Sequence, residues 1–310
     1  MKRLDEKEII GVLSSSLGIS DLDDVATISD NLVFKSDMLV AMTDVPAQMK
    51  PWQVARKSIV SCASDLAAKG AVPVAAMISL GLPRGITRGY VEELARGFKM
   101  ASQEFGVKIV GGDTNEAQDL VIDCSMVGAI KRPVPPRSGA GVGDAVVVSG
   151  KFGYSAAGLA MLLKGAHATG RLRQAAIDSV LEPKPRQNFG IELARFFSSS
   201  IDSSDGLAIS LYEVATQSKV DIRIDYSLVR AEGIDGFAKA NNLNAKELVF
   251  YGGEEYEIVA TIPDKLLNKA QQAAKDAKID LFVIGKVEKG AGKVYDSKTF
   301  LENRGYVHFS

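Results

Sequence analysis

The sequence predicts an α+β protein of two domains, and three observations lead to that prediction. Segments with helical spacing of apolar residues alternate with short apolar runs typical of strands. A chain of 310 residues that is 46% hydrophobic and 24% charged has room for two ordinary globular cores. Near the middle, the segment KRPVPPRSGAGVGD is rich in proline and glycine and has no periodicity. We therefore place a domain boundary near residue 135, with domains over residues 1–135 and 136–310.

The first half begins with two predicted helices. The amino end MKRLDEKEIIGVLSSSLG mixes acidic residues with an apolar patch too short for a signal sequence, which indicates an amphipathic helix. Apolar residues recur at helical spacing over residues 51–70, between a proline and a glycine. Lys57, Ser61 and Asp65 lie four residues apart on another face of that second helix, so this face meets either solvent or a ligand.

The remaining elements mix strands and helices. In the first half we predict a strand VAAMISLGL, a helix near residues 88–104, a strand VKIV, a turn GGDTNEA and a strand LVIDCSMVGAI. In the second half we predict a strand DAVVVSG, helices near 154–164, 186–197 and 207–217, a strand DIRIDY, a strand, Gly-Gly turn and strand in LVFYGGEEYEIVATIP, a helix near 264–277 and a strand DLFVIGKV.

Composition excludes several classes of function. The 37 basic residues nearly cancel the 38 acidic ones without any basic run, so we expect no nucleic-acid or membrane partner. The longest apolar stretch is broken by Pro73 and is too short to span a bilayer. Cys62 and Cys124 are isolated, which favours a cytoplasmic protein with reduced thiols. His167 and His308 are the only histidines, so a histidine-based triad or metal site is disfavoured.

Aspartates recur at the ends of apolar runs, where strands and helices meet the rim of a sheet. The positions are Asp24, Asp37, Asp44, Asp65, Asp113, Asp202 and Asp205. So many carboxylates at one rim repel each other unless cations neutralise them. Hard divalent cations with oxygen ligands do so, and Mg²⁺ is held by a few carboxylates together with the phosphates of a nucleotide. As a set, the aspartates indicate a Mg–ATP site.

Each aspartate also has an ordinary structural alternative. Asp24, Asp44 and Asp113 suit turns, and Asp65 suits an exposed helical position. In IDSSDGLAIS the two aspartates suit the cap of the following helix. The chain contains neither a P-loop nor the protein-kinase motifs. Arg137, in PPRSGAG, offers a fixed positive fork for a phosphate.

Eight motifs together resemble thiamine-monophosphate kinase, a family of the superfamily that includes aminoimidazole ribonucleotide synthetase. They are SDML, SDLAAKGAVP, GGDT, RSGAGVGD, SAAGLAML, IDSSDGL, GGEEYEIVAT and GYVHF, in the family's order and nearly end to end. The resemblance implies an aminoimidazole ribonucleotide synthetase-like fold. Its amino-terminal domain would form a homodimer through its sheet, and its carboxy-terminal α+β domain would complete the active site.

The resemblance also implies a reaction and its residues. The γ-phosphoryl group of ATP would pass to thiamine monophosphate, with several Mg²⁺ ions assisting. The implied Mg²⁺ ligands are Asp24, Ser36, Asp37, Asp65, Asp113, Asp202 and Asp205, and we expect Asp65, Asp113 and Asp205 to be the catalytic ones. The implied ATP contacts are Gly112, Asp113, Arg137 and Ser204, and the implied thiamine contacts are Glu254 and Tyr306. Asp44 would lie near the substrate, at a position where many bacterial members carry a histidine.

Other functions remain as alternatives. A selenophosphate synthetase would carry a reactive cysteine or selenocysteine and a lysine in a glycine-rich amino-terminal segment, which this chain lacks. An aminoimidazole ribonucleotide synthetase would activate an amide oxygen instead of a phosphate. A non-catalytic nucleotide-binding subunit could keep the fold, but the complete set of carboxylates argues against it.

Overall fold

The amino-terminal half forms one sheet with helices on one side. The computed structural model describes residues 4–19 and 23–308. The elements of this half are α1 (Glu6–Leu17), β1 (Ala26–Ser29), β2 (Leu32–Val40), α2 (Ala41–Asp44), α3 (Pro51–Ala68), β3 (Val72–Leu82), α4 (Arg88–Phe105), β4 (Lys108–Glu116) and β5 (Val121–Ala129). The strand order is β1-β2-β5-β3-β4, and all neighbours are antiparallel except β3 and β4.

The two faces of this sheet differ. One face packs against α3 and α4, where Ile59, Cys62 and Leu66 of α3 share a core with Ile122 and Cys124 of β5. None of the described residues covers the opposite face. Its exposed apolar side chains are Ile28, Phe34, Met38, Met77 and Val110. Strand alternation therefore gives the central strands β2, β3 and β5 one core face and one open face.

The carboxy-terminal half forms a second, larger sheet. Its elements are β6 (Ala145–Val148), α5 (Tyr154–Lys164), α6 (Gly170–Leu181), α7 (Gln187–Leu193), a 3₁₀ turn (Ala194–Phe196), β7 (Ser199–Ser203), α8 (Leu207–Ser218), β8 (Asp221–Ile224), α9 (Tyr226–Val229), α10 (Ile234–Ala240), α11 (Ala245–Tyr251), β9 (Glu257–Ile262), α12 (Asp264–Asp276), β10 (Phe282–Glu288), β11 (Val294–Asp296) and β12 (Thr299–Phe300). The strand order is β12-β11-β8-β10-β6-β9-β7.

Both faces of this second sheet are buried, which explains why its central strands are apolar throughout. In β6, Val146 and Val148 enter a core with α8, α10 and α11. Ala145 and Val147 enter the opposite core, which contains Phe189 of α7 and residues of α12. The half is therefore a three-layer arrangement of helices, sheet and helices.

Helix α3 belongs to the cores of both halves. Its residues up to Leu66 pack on the first sheet, whereas Ala67 and Ala68 pack with α7, α12 and β9 of the second half. Gly190 of α7 lies so close to α3 that a Cβ atom there would be 1.7 Å from the carbonyl oxygen of Ala67. Only glycine permits this approach of the two backbones.

Most predicted elements are confirmed, with two errors of type. The segment GGDTNEA, predicted as a turn, continues strand β4 to Glu116 because it pairs with β3 from Ala75 to Leu82. The residues LVFY, predicted as a strand, form the end of α11. Helices α6 and α10 were not predicted.

The amino-terminal helix forms as expected, with Asp5 and Glu8 in a capping box, but none of its side chains is fully buried. Among the described residues, no helix is long and apolar enough to cross a membrane. The domain boundary near residue 135 stays a prediction.

The contact between α7 and α3 predicts that alanine destabilises the protein at one glycine and not at another. Gly190→Ala places a methyl group against the Ala67 carbonyl, and we expect a loss of about 3 kcal/mol in the free energy of unfolding. Gly236→Ala, in α10, is the matched control because nothing lies within 4 Å of its added Cβ atom. The control should be neutral or more stable by up to about 1 kcal/mol. Urea unfolding of both variants measures the difference, and equal stabilities would contradict the assigned packing.

Candidate active site

Buried aspartates meet where the two halves of the chain touch. Asp24 lies before β1, Asp65 lies on α3 and Asp202 lies on β7. One carboxylate oxygen of each lies within 4.8 Å of the other two, and all three side chains are buried. Asp37 of β2 joins them through Lys35, whose Nζ lies 2.7 Å from Asp65 Oδ2 and 3.2 Å from Asp37 Oδ1. We call Asp24, Asp37, Asp65 and Asp202 the carboxylate cluster.

The strand pattern explains how charged groups of β2 reach the interior. Val33 and Leu39 are buried on the face of β2 that packs on α3. Lys35 and Asp37 lie between them at alternate positions, so they share that face. Two charged side chains on a core-facing strand surface require partners, and Lys35 pairs with Asp65 of α3, which also lies near Asp202 of the second half.

Asp24 is held by basic groups from both halves. Arg137 Nε donates to Asp24 Oδ1 at 2.8 Å, and Arg137 Nη2 contacts the same oxygen. Lys69 Nζ lies 3.1 Å from Asp24 Oδ2 and 2.6 Å from Asp23 Oδ1, and it donates to the carbonyl oxygens of Pro135 and Ser200. Burial alone would raise the pKa of Asp24, but Lys69 and Arg137 outweigh it and lower that pKa. Even so, Asp24 Oδ2 accepts no aligned hydrogen bond from the described part of the chain.

For Asp37 and Asp202, the surroundings raise the pKa of the carboxyl group instead of lowering it. Burial, followed by the charges of Asp65 and Asp24, raises the pKa of Asp202 well above its usual value. Burial and Asp65 raise the pKa of Asp37 to about 8. Burial would lower the pKa of Lys35, but Asp65 and Asp37 raise it well above the ordinary value. The cluster is therefore short of positive charge on the Asp202 side.

Asp205 lies at the edge of the cluster, in the loop between β7 and α8. Burial, followed by the charge of Glu6, raises the pKa of Asp205 to about 6, although the side chain keeps contact with solvent. Helix α8 begins after Gly206 without any side-chain cap, so neither Asp202 nor Asp205 has the capping role that was the alternative. Ser204 accepts a hydrogen bond from the Glu254 backbone N–H at 2.5 Å.

The residues expected to bind thiamine lie together on one side of this loop. Lys57 Nζ contacts Glu254 Oε1 and donates to the Asp44 carbonyl oxygen at 2.7 Å. The Tyr306 backbone N–H donates to the Asp205 carbonyl oxygen at 2.9 Å. Burial, followed by the charges of Asp44, Glu254 and Asp205, raises the pKa of the Tyr306 phenol. The Asp44 carboxylate itself accepts from the Val40 N–H at 2.8 Å.

Backbone conformation fixes the position of Glu254. Glu254 and Tyr256 both have positive φ, 64° and 52°, in the short connection from α11 to β9. Residues other than glycine rarely adopt this region unless their surroundings hold them there. Here the ion pair with Lys57 and the hydrogen bond to Ser204 hold Glu254.

Two predicted Mg²⁺ ligands, Ser36 and Asp113, and the predicted ATP contact Gly112 lie on the first sheet away from the carboxylate cluster. Ser36 lies on the opposite face of β2 from Asp37, where its hydroxyl donates to Asp123 Oδ1 at 2.8 Å and lies 2.9 Å from the Ser125 hydroxyl. Asp113 lies in the row Met38, Asp123, Ser79, Asp113 across four strands and is exposed on edge strand β4. Gly112 pairs with Ile78, and a Cβ atom there would lie 1.7 Å from the Ile78 carbonyl oxygen.

Sequence reasoning identified Arg137 and placed Lys57 on a face open to solvent or a ligand, but it missed the lysines as partners of buried carboxylates. Lys35, Lys57 and Lys69 were not singled out as charge partners, although the first shares a strand face with Val33 and Leu39. Lys57 lies within α3 and Lys69 directly follows it, and both are buried like the apolar residues around them. A lysine inside an apolar pattern is the signal that could have identified them, because a buried charge needs a partner.

The family comparisons agree with this architecture. The model of the AIR synthase related protein, N-terminal domain, matches residues 22–130. The model of the AIR synthase related protein, C-terminal domain, matches residues 141–297. Together they cover most of the chain.

Individual relatives match along the whole length. The thiamine-monophosphate kinase of Nitrosopumilus maritimus (strain SCM1) is 41% identical over 314 aligned positions, which cover 100% of both chains. That of Pyrococcus horikoshii is 35% identical, covering 94% of this chain and 91% of the relative. A solved structure described as AaThiL complexed with AMPPCP and TMP has a TM-score of 0.89 at 29% identity, covering 100% of this chain and 99% of the other. The chain therefore belongs to the thiamine-monophosphate kinase family of AIR synthase related proteins.

Proposed function

We propose that the protein transfers the γ-phosphoryl group of ATP to thiamine monophosphate, giving thiamine diphosphate and ADP. Relatives named for this activity match the full chain, and a structure 29% identical to it holds an ATP analogue and TMP. The observation that carries the proposal is the carboxylate cluster lying beside the group of Lys57, Glu254 and Tyr306.

The residues present fit Mg²⁺. Asp24, Asp65 and Asp202 offer hard oxygen ligands within 4.8 Å of one another, and Asp24 Oδ2 is a buried oxygen without an aligned donor. We propose that these three residues hold the ion, with Asp37 and Asp205 beside them. When bound, Mg²⁺ neutralises phosphate charge and favours transfer between two anions.

The protein's own residues then align the reactants and offset charge. The acceptor is a phosphate that is already anionic at neutral pH, so no general base is needed. This agrees with a chain that has only two histidines. Arg137 is the group we assign to an ATP phosphate, and Asp24 orients its guanidinium by a two-point contact. Gly112, Asp113 and Ser204 remain proposed nucleotide contacts.

Glu254 and Tyr306 are the proposed thiamine contacts. A carboxylate can accept from an aminopyrimidine, and an aromatic ring can stack on one. Lys57 fixes Glu254 from inside the protein, since it is itself only 2% exposed. The Asp44 carbonyl oxygen accepts a hydrogen bond from the same Lys57, which therefore connects Asp44 and Glu254.

We also propose that the protein forms a homodimer through the open face of the first sheet. Five large apolar side chains on β1 to β4 are exposed there, with Ser36, Asp113 and Asp123 among them. An apolar face of this extent is typical of an interaction surface. Pairing would bring Ser36 and Asp113 next to a second subunit. The two free, buried cysteines agree with the expected cytoplasmic location.

Incubation of the purified protein with Mg–ATP and thiamine monophosphate is expected to produce thiamine diphosphate and ADP in equal amounts. Chromatography with fluorescence detection of oxidised thiamine diphosphate measures the product. Absence of product from folded protein, or equal turnover of the amide substrate of an aminoimidazole ribonucleotide synthetase, would overturn the assignment in favour of its alternatives.

Asp65→Asn and Asp205→Asn test the cluster. Both keep the shape of the side chain and remove a negative charge, so we expect kcat to fall on the order of a hundredfold or more while the fold is kept. Asp276→Asn, on the exposed end of α12, is the matched control and should leave kcat unchanged. Steady-state kinetics and circular dichroism decide the result, and activity close to that of the control would reassign the two residues.

Lys57→Met tests the positioning of Glu254. Loss of the ammonium leaves the Glu254 carboxylate without its internal partner, so we expect the KM for thiamine monophosphate to rise about tenfold. The KM for ATP should change by less than about twofold, since it depends on other residues. Lys99→Met, on the exposed face of α4, is the control. A parallel rise of both KM values would indicate general damage instead.

A further inference from the structure

Lys35 occupies an unusual place for a basic side chain in a predicted metal site. Its Nζ lies between Asp37 Oδ1 and Asp65 Oδ2, at 3.2 Å and 2.7 Å. The side chain is 21% exposed and comes from the core-facing side of β2. An ammonium group in this position is a permanent positive charge between two oxygen ligands.

The charges around the cluster can be assigned to partners. The carboxylates are Asp23, Asp24, Asp37, Asp65 and Asp202, and the basic groups paired with them are Lys35, Lys69 and Arg137. Five carboxylates face three basic groups, so two carboxylates are not matched by a basic group.

The two uncompensated charges are not spread evenly. Within residues 4–19 and 23–308, no basic side chain forms an ion pair with Asp202, which accepts only from the Ser64 hydroxyl at 3.2 Å. Asp24 Oδ2 faces the same space and lacks an aligned donor. Asp37, in contrast, already has Lys35. Asp202 is therefore the member of the cluster without a basic partner, whereas Asp24 has Lys69 and Arg137, and Asp37 and Asp65 share Lys35.

We propose that the Lys35 ammonium takes the place of a divalent cation between Asp37 and Asp65. The protein without nucleotide then binds one divalent ion, on the side of Asp24, Asp65 and Asp202. Lys35 repels a second ion from Asp37 because like charges at this separation oppose each other strongly in a partly buried site. This inference rests on the proposed function in one respect, namely that the cluster is a Mg²⁺ site.

Titration with Mn²⁺, followed by the electron paramagnetic resonance signal of the free ion, tests the proposal without ATP or thiamine monophosphate. Native protein should bind one Mn²⁺ per chain. Lys35→Met should bind a second Mn²⁺, with an affinity at least tenfold higher than any second site of the native protein. Lys35→Arg keeps the charge and should bind one ion, as should the surface control Lys99→Met. Adding Asp37→Asn to Lys35→Met should remove the second ion.

Several outcomes would overturn the proposal. They are an unchanged ion count in Lys35→Met, a second ion in Lys35→Arg, or no Mn²⁺ bound by the native protein. If Lys35→Met is unfolded without metal, Mn²⁺ must restore its circular dichroism spectrum, since the ion replaces the missing charge. Failure of that rescue also rejects the proposal. The titration requires no turnover, so a protein that binds Mn²⁺ as expected but forms no thiamine diphosphate would reject the proposed reaction and leave this inference standing.

Discussion

The structure depends on one electrostatic constraint, which is the burial of several aspartates where the two halves of the chain meet. Each ionised carboxylate moved out of water carries a large desolvation penalty unless it is paired. Lys69 and Arg137 provide the pairing on one side, and Lys35 provides it on the other. Because these partners come from β2, α3 and the segment after Pro135, the packing of the two halves and the charge state of the site are inseparable.

Helix α3 carries most of that coupling. Lys57 and Asp65 lie on it and Lys69 directly follows it, and they reach Glu254, the carboxylate cluster and β7 respectively. The same helix contributes apolar residues to both cores and packs closely against α7 at Gly190. A site built on a packed helix and on strands keeps its geometry better than one on loops, which suits a reaction that requires the alignment of two anions.

Much of this could be read from the chain, and the rest could not for identifiable reasons. The recurring aspartates predicted a carboxylate site, and Asp24, Asp65 and Asp202 do lie together. The expected sheet rim is wrong for Asp37 and Asp65, which lie within β2 and α3. The glycines in GGDTNEA suggested a turn, but pairing with β3 outweighed that local preference. LVFY has strand-like composition and became helical because α11 packs its Val249 and Phe250 into the second core. The opposite-face position of Ser36 depended on knowing which face of β2 is inward.

Neighbouring residues of strand β2 face opposite sides of the first sheet. Lys35 and Asp37 point toward the carboxylate cluster. Ser36 and Met38 point to the open face of the first sheet. A single inserted or deleted residue within Leu32–Val40 would exchange the two sets, since strand side chains alternate with a period of two. A change in the length of this strand is consequently more damaging to the site than most substitutions within it. The proline- and glycine-rich segment that follows β5 is constrained in a similar way up to Arg137, because an inserted residue before Arg137 would move its guanidinium away from Asp24.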